Sequence, residues 1–363
     1  MEVYHILKKS AFLDNTIIIF NRLPFKNKYC IVDSYNTKDS QISFYNNFAD
    51  LVNEINDKAS IVIIHSVFFK LEKISKITKP IVWCTWGYDI YSSKEYRRQR
   101  LITIQKYKKE SENYLRKPVV YLRRVLTIIK DLILQNNTQR QWNDFYKQVT
   151  AIAPVIKNEY DLIKNQNPGF AFKYFYFKYL DLEEQASELL NYSPGILLGN
   201  SATIENNHLD IIKILNKRKI DTKVCIPISY GDKMYKDFLR KNVNNENITF
   251  LENYMPKDQY YNYINNYGNV IIGCLRQQAM GNIYRALKTG KRVFLFKDSI
   301  MYDFLKSEGY IVFSIDEDLS QELIQTKFKM NDAEYNRTLY MKKNSSEELI
   351  NKLKQQLVSI VEK

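Results

Sequence analysis

The chain alternates short apolar runs with longer stretches in which apolar side chains recur every three or four residues. Ile61 to Ile64, Ile81 to Trp86, Ile196 to Leu198 and Val270 to Ile272 are runs of the first kind, rich in β-branched residues, as strands covered on both faces require. Helical spacing lies between such runs, for example at Ala279 to Leu287 and at Ile300 to Lys306, the second directly after Arg292 to Phe296. Strand and helix in turn imply parallel sheets with crossover helices. The order is clearest after Ser193. There ILLG, a helix over 206–216, KVCIPI, a helix over 232–241, ITFL, a helix over 257–265 and NVIIGC lead on to RVFLF and YIVF at Tyr310. This half reads as a Rossmann-like unit of about six strands. The first half repeats the plan with strands over 2–7, 29–32, 61–65, 81–86 and 151–155.

Asn191-Tyr192-Ser193-Pro194-Gly195 punctuates the chain most strongly, because Pro and Gly stand just before a strand. The expected organisation is a first domain over 1–192, a second over 193–331 and a polar helical tail over 332–363. At 363 residues the chain exceeds one ordinary core, which agrees with two. Twenty-eight Tyr and nineteen Phe supply the large side chains that two cores need.

Several classes are set aside by composition. No run reaches the ~18 apolar residues of a membrane span, and Met1 to Ser10 lacks the basic-then-apolar order of a signal peptide, so a cytoplasmic protein is expected. Cys30, Cys84, Cys225 and Cys274 lie far apart, three of them inside strand-like runs, and indicate neither a disulfide framework nor a zinc site. The three histidines, His5, His65 and His208, are too scattered for a multi-histidine metal centre.

A formal charge of +14 calls for a polyanionic partner: nucleic acid, anionic lipid or a phosphorylated substrate. Between Lys94 and Lys130, twelve Lys and Arg face only three Glu, so most of the excess is concentrated there. Within it Leu122, Val125, Leu126, Ile129, Leu132 and Ile133 form one helical stripe, with Arg123, Arg124 and Lys130 off it. An interfacial helix on anionic lipid has this form, and so does a core-facing helix with solvated lysines. No helix-turn-helix, zinc or aromatic RNA-binding motif supports a nucleic-acid partner.

Candidate chemistry lies in loops at strand ends. Gly199-Asn200-Ser201-Ala202-Thr203 follows a strand and precedes a helix, where backbone N–H groups, a hydroxyl and the helix dipole can approach a phosphate. A tight capped turn has the same pattern. Arg276-Gln277-Gln278-Ala279-Met280-Gly281-Asn282 is more specific, joining a permanently charged fork and two amides to a Gly at the next helix start. Such an Arg suits a pyrophosphate leaving group. Tyr230, in Ser229-Tyr230-Gly231-Asp232, stands at another strand end and is a further candidate for nucleotide contact. In the first half, Trp86-Gly87-Tyr88-Asp89 combines aromatic faces for a sugar with a carboxylate that can take a hydroxyl proton. His65, ending IVIIH, is the competing base.

Taken together, WGYDIY, LGNSATIENNH, IPISYGDKMY, ENYMPKDQY, LRQQAMGNI and GKRVFLF resemble, in order and spacing, the TDP-N-acetylfucosamine:lipid II N-acetylfucosaminyltransferase family, glycosyltransferase family 56. The resemblance spans most of the chain and is specific over 81–89 and 197–313. It implies an α/β protein of GT-B type, two Rossmann-like domains facing across a cleft. The activity it implies is transfer of 4-acetamido-4,6-dideoxygalactose from a TDP-sugar to an undecaprenyl-diphosphate-linked saccharide, as in enterobacterial common antigen. The family's Trp-Gly-x-Asp falls on Trp86, Gly87 and Asp89, and its Gly-Asn-Ser on Gly199, Asn200 and Ser201. Its Asn-x-His falls on Asn206 and His208, and its Arg-Gln-Gln-x-x-Gly on Arg276, Gln277, Gln278 and Gly281. The basic segment from Lys94 to about Gln148 is longer than the family norm, and the tail lacks clear similarity.

These readings combine into one expectation. The second domain holds the donor through Gly199, Asn200, Ser201, Asn206, His208, Tyr230, Arg276, Gln277, Gln278, Gly281 and Asn282. The first presents the acceptor at Trp86, Gly87 and Tyr88, with Asp89 or His65 as base if the reaction inverts. Arg276 and helix N-termini carry the leaving charge, so neither metal nor cofactor is expected; the nearest Asp-x-Asp, Asp316-Glu317-Asp318, comes after the last strand. Arg123, Arg124 and Lys130 would meet the anionic cytoplasmic face of the inner membrane, making the protein peripheral, with no nucleic-acid partner. A related transferase using another UDP- or TDP-sugar, or a non-catalytic basic protein that binds nucleic acid or lipid-linked saccharide, are the alternatives.

Overall fold

A computed structural model describes residues 1–10, 12–32, 41–91, 103, 105–110, 139–179 and 192–362. The basic helix expected over 122–133, with Arg123, Arg124 and Lys130, lies outside them. The chain forms two compact units: Met1–Lys94, Val125–Gln185 and Asn344–Lys363 make the first, and Glu95–Arg124 with Ala186–Lys343 the second.

Among the described residues the first unit has one sheet of seven parallel strands: β1 (Glu2–Ile6), β2 (Lys26–Val32), β3 (Ile42–Tyr45), β4 (Ile61–His65), β5 (Ile81–Cys84), β6 (Val149–Ala153) and β7 (Lys173–Tyr174). Their order is β3-β2-β1-β4-β5-β6-β7, so the chain builds outward from β1, returns to β4 and builds the other way. Val3 pairs with Asn27 on one side and Ile61 on the other. β4 and β5 are buried along their whole length, because crossover helices cover a parallel sheet on both faces and leave no polar side to alternate with. The helix Ser346–Val361 supplies part of that cover. Leu349, Leu353, Leu357 and Ile360 recur on one stripe and join a core cluster with Val3, Ile61, Ile63 and Val82. Each such side chain contributes about 1.5–3 kcal/mol. Gln356 fixes its register by accepting from Tyr176 N at 2.7 Å and donating to Tyr176 O at 3.1 Å.

Six parallel strands make the second unit's sheet: β8 (Ile196–Leu198), β9 (Val224–Pro227), β10 (Ile248–Leu251), β11 (Asn269–Ile272), β12 (Arg292–Leu295) and β13 (Phe313–Ser314), in the order β10-β9-β8-β11-β12-β13. The direction of winding reverses between β8 and β11. Helices His208–Lys217, Lys233–Asn242, Lys257–Ile264, Met280–Lys288 and Ile300–Ser307 are the crossovers. Asp232 caps one by accepting from Tyr235 N, and Ser299 caps another through Met301 N. The described part of the basic segment packs here, with the Tyr107 ring against Tyr235 and Phe238 and Thr103 bonded to Asp210.

Four elements depart from the sequence pattern. The helix expected over 206–216 starts two residues later, because Asn207 sits in the left-handed region at φ 51° and donates its amide to Gly273 O at 2.7 Å. A 3₁₀ turn over Ile204–Asn206 precedes it and the helix begins at His208. The strand expected at YIVF shrinks to Phe313–Ser314: the Asn336 amide takes both backbone groups of Ile311, accepting from its N–H at 2.8 Å and donating to its carbonyl at 2.9 Å. β3 and β7 were not anticipated; they are short edge strands of four and two residues with only partly buried patterns.

Candidate functional site

In an open parallel sheet, ligands bind beyond the carboxyl ends of the strands where the winding reverses. In the second unit that point lies between β8 and β11. The loops after them carry most of the residues singled out as donor ligands.

Gly199 stands at φ +73°, and a Cβ there would lie 2.7 Å from His208 Nε2 and 2.9 Å from Asn206 Oδ1. The Gly-Asn-Ser and Asn-x-His elements are thus one structure, and only glycine fits where they meet. Asn206, fully buried, donates to Ser201 O and Thr203 Oγ1, both at 3.0 Å. Gln278 crosses from the other loop and donates to Asn200 Oδ1 at 2.8 Å and Thr203 Oγ1 at 3.1 Å. Asn200 donates to the Tyr230 hydroxyl at 2.7 Å. That third loop is zipped to the first: Ala202 N donates to Tyr230 O, Asp232 N donates to Ala202 O, and a Cβ on Gly231, at φ +118°, would meet Ala202 O at 2.4 Å. Asn282 donates to Tyr260 Oη at 3.0 Å, adding the helix after β10 to the group.

Arg276 is the charge of this constellation. Its side chain is 15% exposed, it donates to Gln277 O at 2.9 Å, and its guanidinium lies 4.0 Å from Glu205. Directly after it, Ala279 takes φ +61° and starts the helix Met280–Lys288 with no side-chain cap and no acid in the first turn. Gly281 is exposed in that turn, with nothing within 4 Å of where a Cβ would be. Backbone donors, a helix dipole and an arginine fork therefore gather where an anion is favoured. Gln277 is buried beside them. His208, with its pKa pushed down to about 3 by burial, is neutral. Its Nδ1 bonds the Tyr235 hydroxyl at 3.1 Å, while Nε2 has no partner among the described residues. Glu205, Asn207 and Tyr235 were not singled out in the sequence, since nothing in their spacing distinguishes them from ordinary helix-end residues.

The first unit reverses its winding between β1 and β4, and the residues singled out there gather at that carboxyl edge. Asp89 is 5% exposed and accepts from four donors: Trp86 N at 3.0 Å on one oxygen, and Trp83 Nε1 at 3.0 Å, Ser66 Oγ at 3.1 Å and Val67 N at 3.2 Å on the other. Burial raises its pKa against the pull of those bonds. It holds Gly87, at φ +87°, and Ser66, at φ +72°, in their left-handed turns. Tyr88 begins the one-turn helix Tyr88–Tyr91, and its side chain is not among those described. His65 is 1% exposed, its pKa lies well below the ordinary value through burial and the neighbouring His5, and both ring nitrogens are engaged, with His5 at 3.1 Å and with the Tyr179 hydroxyl at 2.9 Å. Trp86 is partly exposed and donates its indole N–H to Tyr179 at 2.8 Å. His5 and Tyr179 carried no warning in the sequence: one reads as a strand residue, the other lies past the last strand-like run.

An amide at position 89 turns its NH₂ against Trp86 N in one orientation and against the Trp83 indole and Val67 N in the other. Asp89→Asn is therefore expected to lower unfolding free energy by about 1–3 kcal/mol, read from urea melts. An unchanged midpoint would show that the carboxylate does not hold this loop.

Asp316, Glu317 and Asp318 are tied into a turn: Asp318 accepts from Ser314 N, Asp316 from Lys297 N, and Glu317 pairs with Lys297. Among the described residues no three His, Cys, Asp or Glu side chains gather as a metal centre, and all four cysteines are buried and free of disulfides. No helix among them is long and apolar enough to cross a membrane.

No protein-family profile matches the sequence, and no curated protein matches it. Solved structures do. Alr3699/HepE from Anabaena, in complex with UDP and glucose, superposes with a TM-score of 0.64 at 11% identity, covering 99% of this chain and 100% of that one. A glycosyltransferase from Rickettsia africae gives 0.60 at 10% identity over 99% and 98%. The pneumococcal O-GlcNAc transferase GtfA, in complex with UDP and GlcNAc, gives 0.56 at 9% identity over 100% and 99%. The fold is that of the GT-B glycosyltransferases. At these identities the likeness carries the fold, and membership of glycosyltransferase family 56 is not established by it.

Proposed function

We propose that this chain is a glycosyltransferase that takes a glycosyl group from a nucleoside-diphosphate sugar. The observation that carries the reading is the convergence, at the switch point of the second unit, of Arg276, the uncapped helix start at Met280–Asn282 and the bonded loops of Gly199–Thr203 and Tyr230. A diphosphate there meets backbone N–H groups and a bidentate cation, and the charge that develops as the sugar–phosphate bond breaks is neutralised by groups already in place. Arg276 and the helix supply this countercharge themselves, so the reading requires no metal. The UDP complexes of HepE and GtfA, which share the fold, support a nucleotide donor.

The finer reading follows the motif resemblance. We infer a TDP-linked acetamido-dideoxy sugar as donor, with UDP-sugars as the competing class, and an undecaprenyl-diphosphate-linked saccharide as acceptor. The acceptor belongs to the first unit, at Trp86, Gly87 and Tyr88. Asp89 and His65 serve it by positioning, since both are buried and bonded to neighbouring groups. The concentrated charge of residues 94–130 supports peripheral attachment to anionic lipid at the cytoplasmic face of the inner membrane.

Calorimetric titration of the full chain with UDP, TDP and ADP tests the donor site. Saturable binding of UDP or TDP in preference to ADP is expected, and binding of none of the three removes the reading. Co-sedimentation with phosphatidylglycerol and phosphatidylcholine vesicles tests the membrane assignment; indifference to lipid charge overturns it.

A further inference from the structure

A hydrogen-bonded chain runs through the carboxyl edge of the first unit's sheet, and its ends determine every proton in it. Asn27 donates its amide to Phe20 O at 2.9 Å and Phe25 O at 3.2 Å, so its Oδ1 faces His5 Nε2, at 3.3 Å, as an acceptor. His5 Nε2 therefore carries the proton. Burial pushes the pKa of His5 down to about 3, so the ring is neutral and its Nδ1 must accept, from His65 Nε2–H at 3.1 Å. His65 Nδ1 then accepts from the Tyr179 hydroxyl at 2.9 Å, and the Tyr179 oxygen accepts from the Trp86 indole N–H at 2.8 Å. The backbone N–H of the same tryptophan is held by Asp89 at 3.0 Å.

At the outer end of this chain three aromatic rings meet. Phe12 lies 5.4 Å from Trp86 and 5.1 Å from Tyr179, ring centre to ring centre, and Trp86 lies 6.0 Å from Tyr179. They come from segments that follow β1, β5 and β7, three different strand ends. Beneath them Phe20 and Phe177 are buried against His5 and Tyr179, as core aromatics are. Phe12 is not: it is 42% exposed, and Trp86 and Tyr179 are partly exposed. An exposed phenyl ring beside an indole and a phenol whose polar tips are already bonded offers ring faces and no unsatisfied polar group, at the edge of an α/β sheet where ligands bind. Flat apolar faces of this kind match the C–H face of a pyranose.

We propose that Phe12, Trp86 and Tyr179 form a platform on which a sugar ring of the acceptor stacks, and that His5 and His65 are positioning residues that set its pose through the Tyr179 hydroxyl. The proposal rests on the glycosyltransferase reading and adds to it the ligand class and residues of the acceptor side. A neutral His5 is needed in this chain, because protonating its Nδ1 puts that N–H face to face with His65 Nε2–H and breaks the link.

The test uses the full chain with UDP present and a panel of methyl glycosides (gluco-, galacto-, N-acetylglucos-, fuco- and rhamno-) as probes in saturation-transfer NMR. At least one glycoside is expected to receive saturation at its ring protons. Phe12→Ala, at an exposed position, is expected to weaken that binding about tenfold with UDP affinity unchanged. Tyr179→Phe keeps the ring and removes the link; the Trp86 indole N–H resonance is expected to shift and exchange faster. Absence of saturation transfer from the wild type to every glycoside, or glycoside affinity unchanged in Phe12→Ala, overturns the platform. An unmoved indole resonance in Tyr179→Phe overturns the positioning role. Loss of UDP binding by the wild type instead overturns the donor reading, so the two failures are distinct.

Discussion

Arg276→Ala is expected to lower turnover of the nucleotide sugar by about 100- to 1,000-fold, the usual effect of removing one preorganised group that faces developing charge. The fork sits in the loop after β11 with its guanidinium 4.0 Å from Glu205, near the uncapped start of Met280–Lys288. Glu205 partly balances its charge. A diphosphate has more charge and non-bridging oxygens on two phosphorus atoms to offer, so the arginine turns to the ligand as the glycosidic bond breaks. Arg276→Lys restores the charge without the planar fork and is expected to recover only part of the rate. Its guanidinium also donates to Gln277 O at 2.9 Å, so the effect on folding is measured beside the effect on turnover. Thermal melts beside steady-state kinetics with UDP- and TDP-sugars separate the two effects. Equal turnover in wild type and Arg276→Ala would remove Arg276 from the donor site.

Acid is expected to unfold the protein steeply below pH 6.5. All three histidines, His5, His65 and His208, are buried, and in each burial lowers the pKa, to about 3 for His5 and His208. The folded value lies below the unfolded value of about 6.5, so between the two the unfolded chain binds more protons. The stability they contribute is present above pH 6.5 and is lost as pH falls through that window. Once an unfolded histidine is fully protonated, each further pH unit costs about 1.4 kcal/mol, roughly 4 kcal/mol for three acting together. Asp89 opposes this: its raised pKa makes the native state the stronger proton binder just above the ordinary carboxylate range. One carboxylate does not offset three histidines. Urea midpoints at pH 7.5, 6.5, 5.5 and 4.5 read the effect, and His208→Gln should flatten the slope by about one proton. A midpoint that rises on acidification would contradict the assignment of neutral histidines.

Pattern alone was enough for much of the architecture. IVII before His65, ILL before Gly199 and NVII before Gly273 are buried strands because an uninterrupted β-branched run has no polar face to show, and each was legible as such. The second unit's six strands and the helical tail followed from the same reasoning. Loop chemistry was partly legible: a Gly after a strand and an Arg-Gln-Gln before a helix mark places where backbone can approach an anion. Asn207 and Asn336 mark the limit, since a single side-chain amide competing for backbone groups delayed the start of one expected helix and shortened one expected strand. Local propensity cannot foresee such bonds, whose partners lie 66 and 25 residues away.

Residue type and spacing thus determined, by themselves, most of the parallel strands, the second unit's crossovers and the loops that hold Gly199, Arg276 and Asp89. Tertiary structure alone decided what those residues touch. It placed Asn206 and His208 beneath Gly199, turned Gln278 across to Asn200, closed four donors around Asp89, and joined His5 to Trp86 through His65 and Tyr179. The physical reason is the parallel fold, which brings strand ends far apart in sequence to one edge of a sheet, where short-range polar contacts then set the role of each side chain.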